Sequence, residues 1–165
     1  MFSKIFRKLY NFLLIPLAFK NWAQVMGYVF PIYLSNATSK NKTVAVILKT
    51  GGKLKIRLVN TLDLGSIIET FQRKVYTPKM LKIPKKAKII DIGTSISDFS
   101  VFCASTFKNC NCFSFEPTRS AFELCRENIL LNKLNDRITV KWILKEPSIR
   151  YCLIQQWKFY NALMQ

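Results

Sequence analysis

The chain has 165 residues, half of them hydrophobic and 13% aromatic, enough to bury one core and too few for two full-sized domains. With 26 Lys and Arg against 9 Asp and Glu, its formal charge of +17 favours anionic company such as nucleic acid, phosphorylated metabolites or a membrane surface. Histidine is absent and the cysteines number five, which excludes an imidazole base, a Ser-His or Cys-His nucleophile pair and a histidine-ligated metal.

Lys4, Arg7 and Lys8 precede an apolar stretch from Leu9 to Phe19, and a second runs from Trp22 to Leu34. Pro16 and the lack of a small-residue cleavage site argue against a secretory signal. Lys20, Asn21 and Gln24 split the stretch into pieces shorter than the ~20 apolar residues of a bilayer crossing. Two readings stay open for residues 1–42: helices packed on the domain, and peripheral membrane contact through residues 1–34 with the basic side chains toward anionic lipid.

Residues 43–84 read as a hairpin, a helix and a basic loop. Val44, Val46 and Leu48 alternate with smaller or polar neighbours, Gly51-Gly52 gives a tight turn, and Leu54, Ile56 and Leu58 resume the alternation. Asp63 is expected to cap a helix whose apolar side is Leu64, Ile67, Ile68 and Phe71. Seven basic residues, Arg73, Lys74, Lys79, Lys82, Lys85, Lys86 and Lys88, follow with Tyr76 as their sole aromatic. A nucleic-acid groove interleaves stacking aromatics with its cations, so a solvated loop is expected here and nucleic acid is not the expected partner.

Ala87 to Ile92 reads as an apolar strand, Gly93 follows, and Asp98 to Phe107 carries a helical pattern in Phe99, Phe102, Cys103 and Phe107. Strand, glycine turn and helix open a nucleotide-binding βαβ unit, in which ligand meets backbone N–H groups at the helix start. A second strand, Asn111 to Phe115, ends in Glu116, 25 residues beyond Asp91. An acidic side chain there is placed to accept both ribose hydroxyls of a nucleoside. Ser120 and Glu123 are spaced as a capping box for a helix with Phe122, Cys125 and Ile129 on its apolar face. Ile138, Val140, Trp142 and Leu144 then alternate as a third strand. The only close cysteine pair, Cys110 and Cys112, has no second pair to complete a metal site, so no metal is expected and the thiols read as reduced and buried.

The runs DIGTSISDFSVF at Asp91–Phe102 and FSFEPTRSAFELCRENILLNKLNDRITV at Phe113–Val140 resemble the FkbM family of S-adenosylmethionine-dependent methyltransferases. That family typically ends its first strand in D-[VI]-G-A-N-x-G-x-[FY]-[ST] and its second in [FY]-x-F-E-P, followed by a helix with N-I-x-L-N. The likeness extends upstream to the hairpin strand Lys53–Val59 and the helix Asp63–Phe71, so it covers about residues 44–140. It implies a class I, Rossmann-like α/β fold with a doubly wound sheet, of which 85–145 would be the first βαβαβ half, preceded by the hairpin and N-terminal helices. It further implies S-adenosylmethionine as cofactor, with Asp91, Gly93, Thr94, Ser95 and Ser97 around its methionine and sulfonium part and Glu116 on its ribose. The implied reaction is O-methylation of a hydroxyl on a sugar, glycan or polyketide-like molecule, with no metal and no catalytic residue assigned.

Thr94, Ser95 and Ser97 stand where the family has Ala, Asn and Gly, and the serine at 97 is the costliest, because glycine there tolerates dihedrals that Ser does not. Residues 146–165 carry no family pattern. The expectation is a product shortened by loss of frame near Trp142–Lys145, with reduced or no activity and an open first-strand edge inviting a homo-oligomer. The competing function is a basic nucleic-acid or membrane-surface module without catalysis. A cytoplasmic location is expected, with membrane association as the alternative.

Overall fold

The computed structural model describes residues 2–35, 42–58, 61–77, 83–84, 86–107 and 109–143. Residues 36–41, much of the basic loop (Lys79, Lys82 and Lys85 included), Leu144 and the tail fall outside the described residues.

Two helices come first, α1 (Phe2–Ala18) and α2 (Trp22–Ser35), joined by a turn that the chain stitches to the hairpin strand β1 (Thr43–Ile47). The Lys20 amide donates to Ile47 O at 2.7 Å and the Lys49 amide to Ala18 O at 2.9 Å. Asn21 acts as an extra strand residue: its Oδ1 accepts the Ile47 amide at 2.9 Å and its Nδ2 donates to Ala45 O at 3.0 Å. The helices therefore pack on the domain. Ile15, Phe19, Val25 and Val29 share one core with the hairpin's Val46, Leu48, Leu54 and Ile56.

β1 pairs antiparallel with β2 (Lys53–Arg57), with Val46 opposite Leu54 and Val44 opposite Ile56. Gly51 and Gly52 make the turn at φ +97° and +92°, a region costly for residues with a Cβ. Helix α3 (Leu62–Ile67) continues into a π-helical turn, Ile68–Gln72. Asp63 lies inside α3 and does not cap it, for Thr61 holds the N-cap position without a side-chain bond. The Asp63 carboxylate is drawn instead to β2, where it meets Arg57.

The second sheet has three parallel strands, β3 (Lys88–Ile92), β4 (Asn111–Glu116) and β5 (Ile138–Trp142), in the order β3-β4-β5. Register sets Ile92 against Phe115 and Glu116 against Trp142. Helices α4 (Asp98–Thr106) and α5 (Arg119–Leu131) form the crossovers. This βαβαβ order is the first half of a Rossmann-like doubly wound sheet, and β3 is an edge strand among the described residues. One sheet face is covered, burying Cys112, Ser114, Glu116 and Ile138, while the other leaves Ile90 65% and Phe113 38% exposed.

The proposed capping box of α5 does not form. Thr118, with extended backbone, precedes the helix by one residue, and Glu123 pairs with Arg119 at 2.7 Å and Arg126 at 3.4 Å. Salt pairing at helical spacing outcompetes the box because both arginines sit within one turn of Glu123.

Candidate cofactor cleft

The site grows from the C-terminal ends of β3 and β4. Gly93 leaves β3 at φ +76°, which turns its amide and that of Thr94 onto Phe115 O at 2.8 and 3.2 Å. The next amide, Ser95, donates to Glu116 Oε2 at 2.9 Å, and the Thr118 amide donates to Oε1 at 2.8 Å. Glu116 is thus pinned at the strand tip, 5% exposed. A carboxylate offers about four acceptor positions, so the two amide bonds leave capacity for a ligand's hydroxyls.

Asp91 stands below the same loop. Its Oδ2 accepts the hydroxyls of Thr94 at 2.7 Å and Ser100 at 2.6 Å, and Ser100 in turn meets the Ser114 hydroxyl at 2.7 Å. Burial raises the pKa of Asp91, and the neighbouring Glu116 charge adds to that rise, while the two hydroxyls oppose it. Thr94 and Ser97 hydroxyls lie 3.2 Å apart. The sequence-derived residues Asp91, Gly93, Thr94, Ser95, Ser97 and Glu116 therefore gather at one place. Two of them occupy left-handed backbone without being glycine, Ser95 at φ +51° and Ser97 at φ +62°.

Three further residues hold this site in ways the sequence reading did not assign. Asp98, the first residue of α4, is buried and accepts Thr70 Oγ1 at 2.7 Å and Ser66 Oγ at 3.0 Å. Burial pushes its carboxyl up to about 6, those two hydroxyls opposing and the Asp91 charge reinforcing the shift. Ser66 on α3 and Thr70 in the π-helical turn are four residues apart, one turn along the same face, and so reach the same carboxylate. Arg57 grips Asp63 with Nε at 2.9 Å and Nη2 at 2.6 Å, and the same Nη2 donates to Ser95 Oγ at 3.0 Å. Asp63 holds the guanidinium pKa above its ordinary value by hydrogen bond and charge, so the hairpin delivers a permanent cation to the back of the glycine loop.

Asn128 is the third. Fully buried on α5, it accepts the Lys55 amide at 2.6 Å and donates to Lys55 O at 3.1 Å and Ile96 O at 2.8 Å. One turn later Asn132 repeats the device on Lys53, accepting its amide at 3.0 Å and donating to its carbonyl at 2.6 Å. The two amides of the N-I-L-L-N run dock the open edge of β2 as a neighbouring strand would.

Asp91, Asp98, Gly93 and Thr94 line a cavity of about 280 Å³ whose further walls include Ser66, Ser95 and the rings of Tyr76 and Phe99. Those rings lie 5.2 Å apart at 59°. A second cavity, about 690 Å³, shares Ser66 and Ser95 with the first and is bordered by Lys55, Arg57, Asp63, Ser120, Glu123 and Glu127. On a protein of charge +17, the smaller cavity is lined by two carboxylates and two aromatic residues and by no Lys or Arg, a lining that favours a cationic guest. Among the described residues no cluster of His, Cys, Asp or Glu could hold a metal. The described cysteines, Cys103, Cys110, Cys112 and Cys125, are buried free thiols, and burial pushes Cys112 and Cys125 up to about 12.

No family model matches the chain, and no curated protein matches it in sequence. Among solved structures it is similar to P. horikoshii TYW2 in complex with MeSAdo, at 18% identity over 64% of this chain and 38% of that one, with a TM-score of 0.48. It is similar also to PH0793 of Pyrococcus horikoshii, a proposed transferase, at 18% identity over 74% of this chain and 47% of the other, TM-score 0.48. A third is the M. jannaschii tRNA m1G37 methyltransferase, at 17% identity over 66% and 30%, TM-score 0.44. The chain spans less than half the length of each of these structures.

Proposed function

We propose that the chain binds S-adenosylmethionine in the carboxylate-lined cleft and serves in its transfer of a methyl group, as the FkbM resemblance implies. The observation that carries the reading is that Asp91 and Asp98 line one cavity with Ser95, while Glu116 at the tip of β4 holds the Ser95 amide of the same loop, on an otherwise strongly basic protein. The fit is chemical. Asp91, Asp98, Tyr76 and Phe99 suit a sulfonium and an ammonium, and the spare acceptor capacity of Glu116 suits a ribose diol. The cofactor supplies an electrophilic methyl group on a positively charged sulfur. Displacement at that methyl is direct, so this chain's residues contribute proximity and alignment. Gly93 to Ser97 approach the ligand with backbone, Arg57 holds the loop through Ser95, and Asn128 holds it through Ile96.

For the acceptor, the reading is a hydroxyl on a sugar, glycan or polyketide-like molecule. What supports it here is the larger neighbouring cavity, whose Ser66, Ser95, Ser120, Glu123 and Glu127 are hydrogen-bonding groups suited to a hydroxylated guest. Thermal unfolding tests the cofactor half. At a concentration about 100 times Kd, S-adenosylmethionine adds about 2.7 kcal/mol of stability, roughly a 5 °C or larger rise in Tm for a domain of this size. A folded chain whose Tm is indifferent to S-adenosylmethionine and to S-adenosylhomocysteine refutes the reading.

A further inference from the structure

The N-terminal helical pair turns apolar side chains outward as well as inward. On α1, Tyr10, Leu13 and Leu17 are 51%, 64% and 59% exposed, and their three- and four-residue spacing sets them in one stripe. α2 likewise exposes Trp22 and Phe30, 45% and 50% exposed, together with Ala23, Gly27 and Pro31; Gln24 is its one exposed polar residue among those described. Single exposed apolar residues are ordinary, whereas a run of large ones on consecutive helices marks an interaction surface.

The charge around this surface names the partner. Residues 1–35, which hold both helices, contain four Lys and Arg and no Asp or Glu. Lys4, Arg7 and Lys8 belong to α1, and the exposed Lys20 sits in the turn between the helices. We propose that the outward face of α1 and α2 docks on an anionic lipid surface, lying in the plane of the interface. Acyl chains accommodate Leu13, Leu17 and Phe30, Tyr10 and Trp22 suit the headgroup boundary, and anionic headgroups attract an acid-free basic segment. No helix among the described residues is long and apolar enough to cross a membrane. Because Asn21 and Lys20 bond the turn to β1, docking would carry the whole fold to the surface. This inference is independent of the methyltransferase reading.

Co-sedimentation of the full chain tests it, using phosphatidylcholine vesicles with and without phosphatidylserine, at low and high salt, beside a vesicle-free control. Expected is binding to the phosphatidylserine vesicles that weakens more than about tenfold on pure phosphatidylcholine or at high salt. The exposed double substitution Leu13→Asp/Leu17→Asp should abolish binding while far-UV dichroism is unchanged, and Leu13→Met/Leu17→Met should preserve it. Should the aspartate variant not fold, Lys4→Ser/Arg7→Ser/Lys8→Ser supplies the second arm and must weaken binding to phosphatidylserine. Failure of the parent chain to bind, or unaltered binding by a folded variant, overturns the proposal. So does a vesicle-free parent that is a dimer where the aspartate variant is a monomer, which assigns the face to a second copy.

Discussion

The Glu116 carboxylate accepts the backbone amide of Ser95 at 2.9 Å, so the acidic tip of β4 and the glycine loop after β3 are fastened together before any ligand arrives. A loop held in this way has little freedom to lose on binding, which raises affinity without adding a contact. The fastening gives Glu116 a structural role beside the cofactor-binding role proposed for it, and the two can be separated by substitution.

Glu116→Ala removes the acceptor of two backbone amides, the Ser95 and Thr118 N–H groups. Bonds to a charged acceptor contribute about 1.5–3 kcal/mol each, so urea unfolding should show a loss on the order of 3 kcal/mol. Glu116→Gln keeps one acceptor oxygen and should cost less stability, yet S-adenosylmethionine affinity measured by calorimetry should still fall about tenfold or more, as expected for a lost charged partner.

Ser97 offers a contrasting pair. Its φ of +62° and complete burial impose a left-handed conformation that costs roughly 1–2 kcal/mol in a residue with a Cβ. Ser97→Gly relieves this while gaining unfolded-state entropy, and denaturant titration should place it within about 1 kcal/mol of the parent. Ser97→Val combines β-branching with the same φ and should lose more than about 2 kcal/mol. Equal stability of the two variants would contradict the assigned backbone.

Asp98 sets a pH dependence. Its folded carboxyl titrates at about 6 against 3.8 unperturbed, so as pH rises from about 4 to about 6 the unfolded chain releases its proton first and folding stability falls. At 1.36 kcal/mol per pH unit the loss is on the order of 3 kcal/mol, and it levels off above the folded value. Asp98→Asn should remove this part of the slope and be more stable than the parent at neutral pH. Asp91 is raised in the same direction, so the difference between variant and parent is what must vanish below pH 4 and grow by pH 7. Cofactor binding should move oppositely, strengthening for the parent as Asp98 ionises beside a cationic guest.

Asn128→Ala leaves Lys55 N, Lys55 O and Ile96 O without their partner. Unsatisfied buried groups cost about 1–3 kcal/mol each, so the variant should be destabilised by several kcal/mol. Native-state hydrogen exchange should accelerate at the Lys55 amide, and an unchanged exchange rate there would show that α5 does not secure the hairpin.

What the sequence disclosed was periodic or terminal. Alternation revealed both hairpin strands, an apolar run followed by Gly93 revealed β3, and an acid at a strand tip revealed Glu116. What it concealed was long-range. Asp63 before an apolar run imitates a cap, but Arg57, six residues upstream on β2, competes for the carboxylate with a bidentate fork that no local pattern encodes. Asp98 reads as an ordinary helix-start acid until α3 and the π-helical turn after it, about thirty residues earlier, present Ser66 and Thr70. Asn128 and Asn132 were visible as a motif, while their task became legible once β2 lay beside α5. Ser120 and Glu123 fit a capping box by spacing, and Arg119 and Arg126 overrode it.

Calorimetric titration of the full chain, shown to be folded, with S-adenosylmethionine at neutral pH tests the proposed cofactor binding most directly. Saturable binding at one site is expected, weakening about tenfold or more in Glu116→Gln. A folded chain that takes up no S-adenosylmethionine, or one whose affinity is the same in that variant, would contradict it.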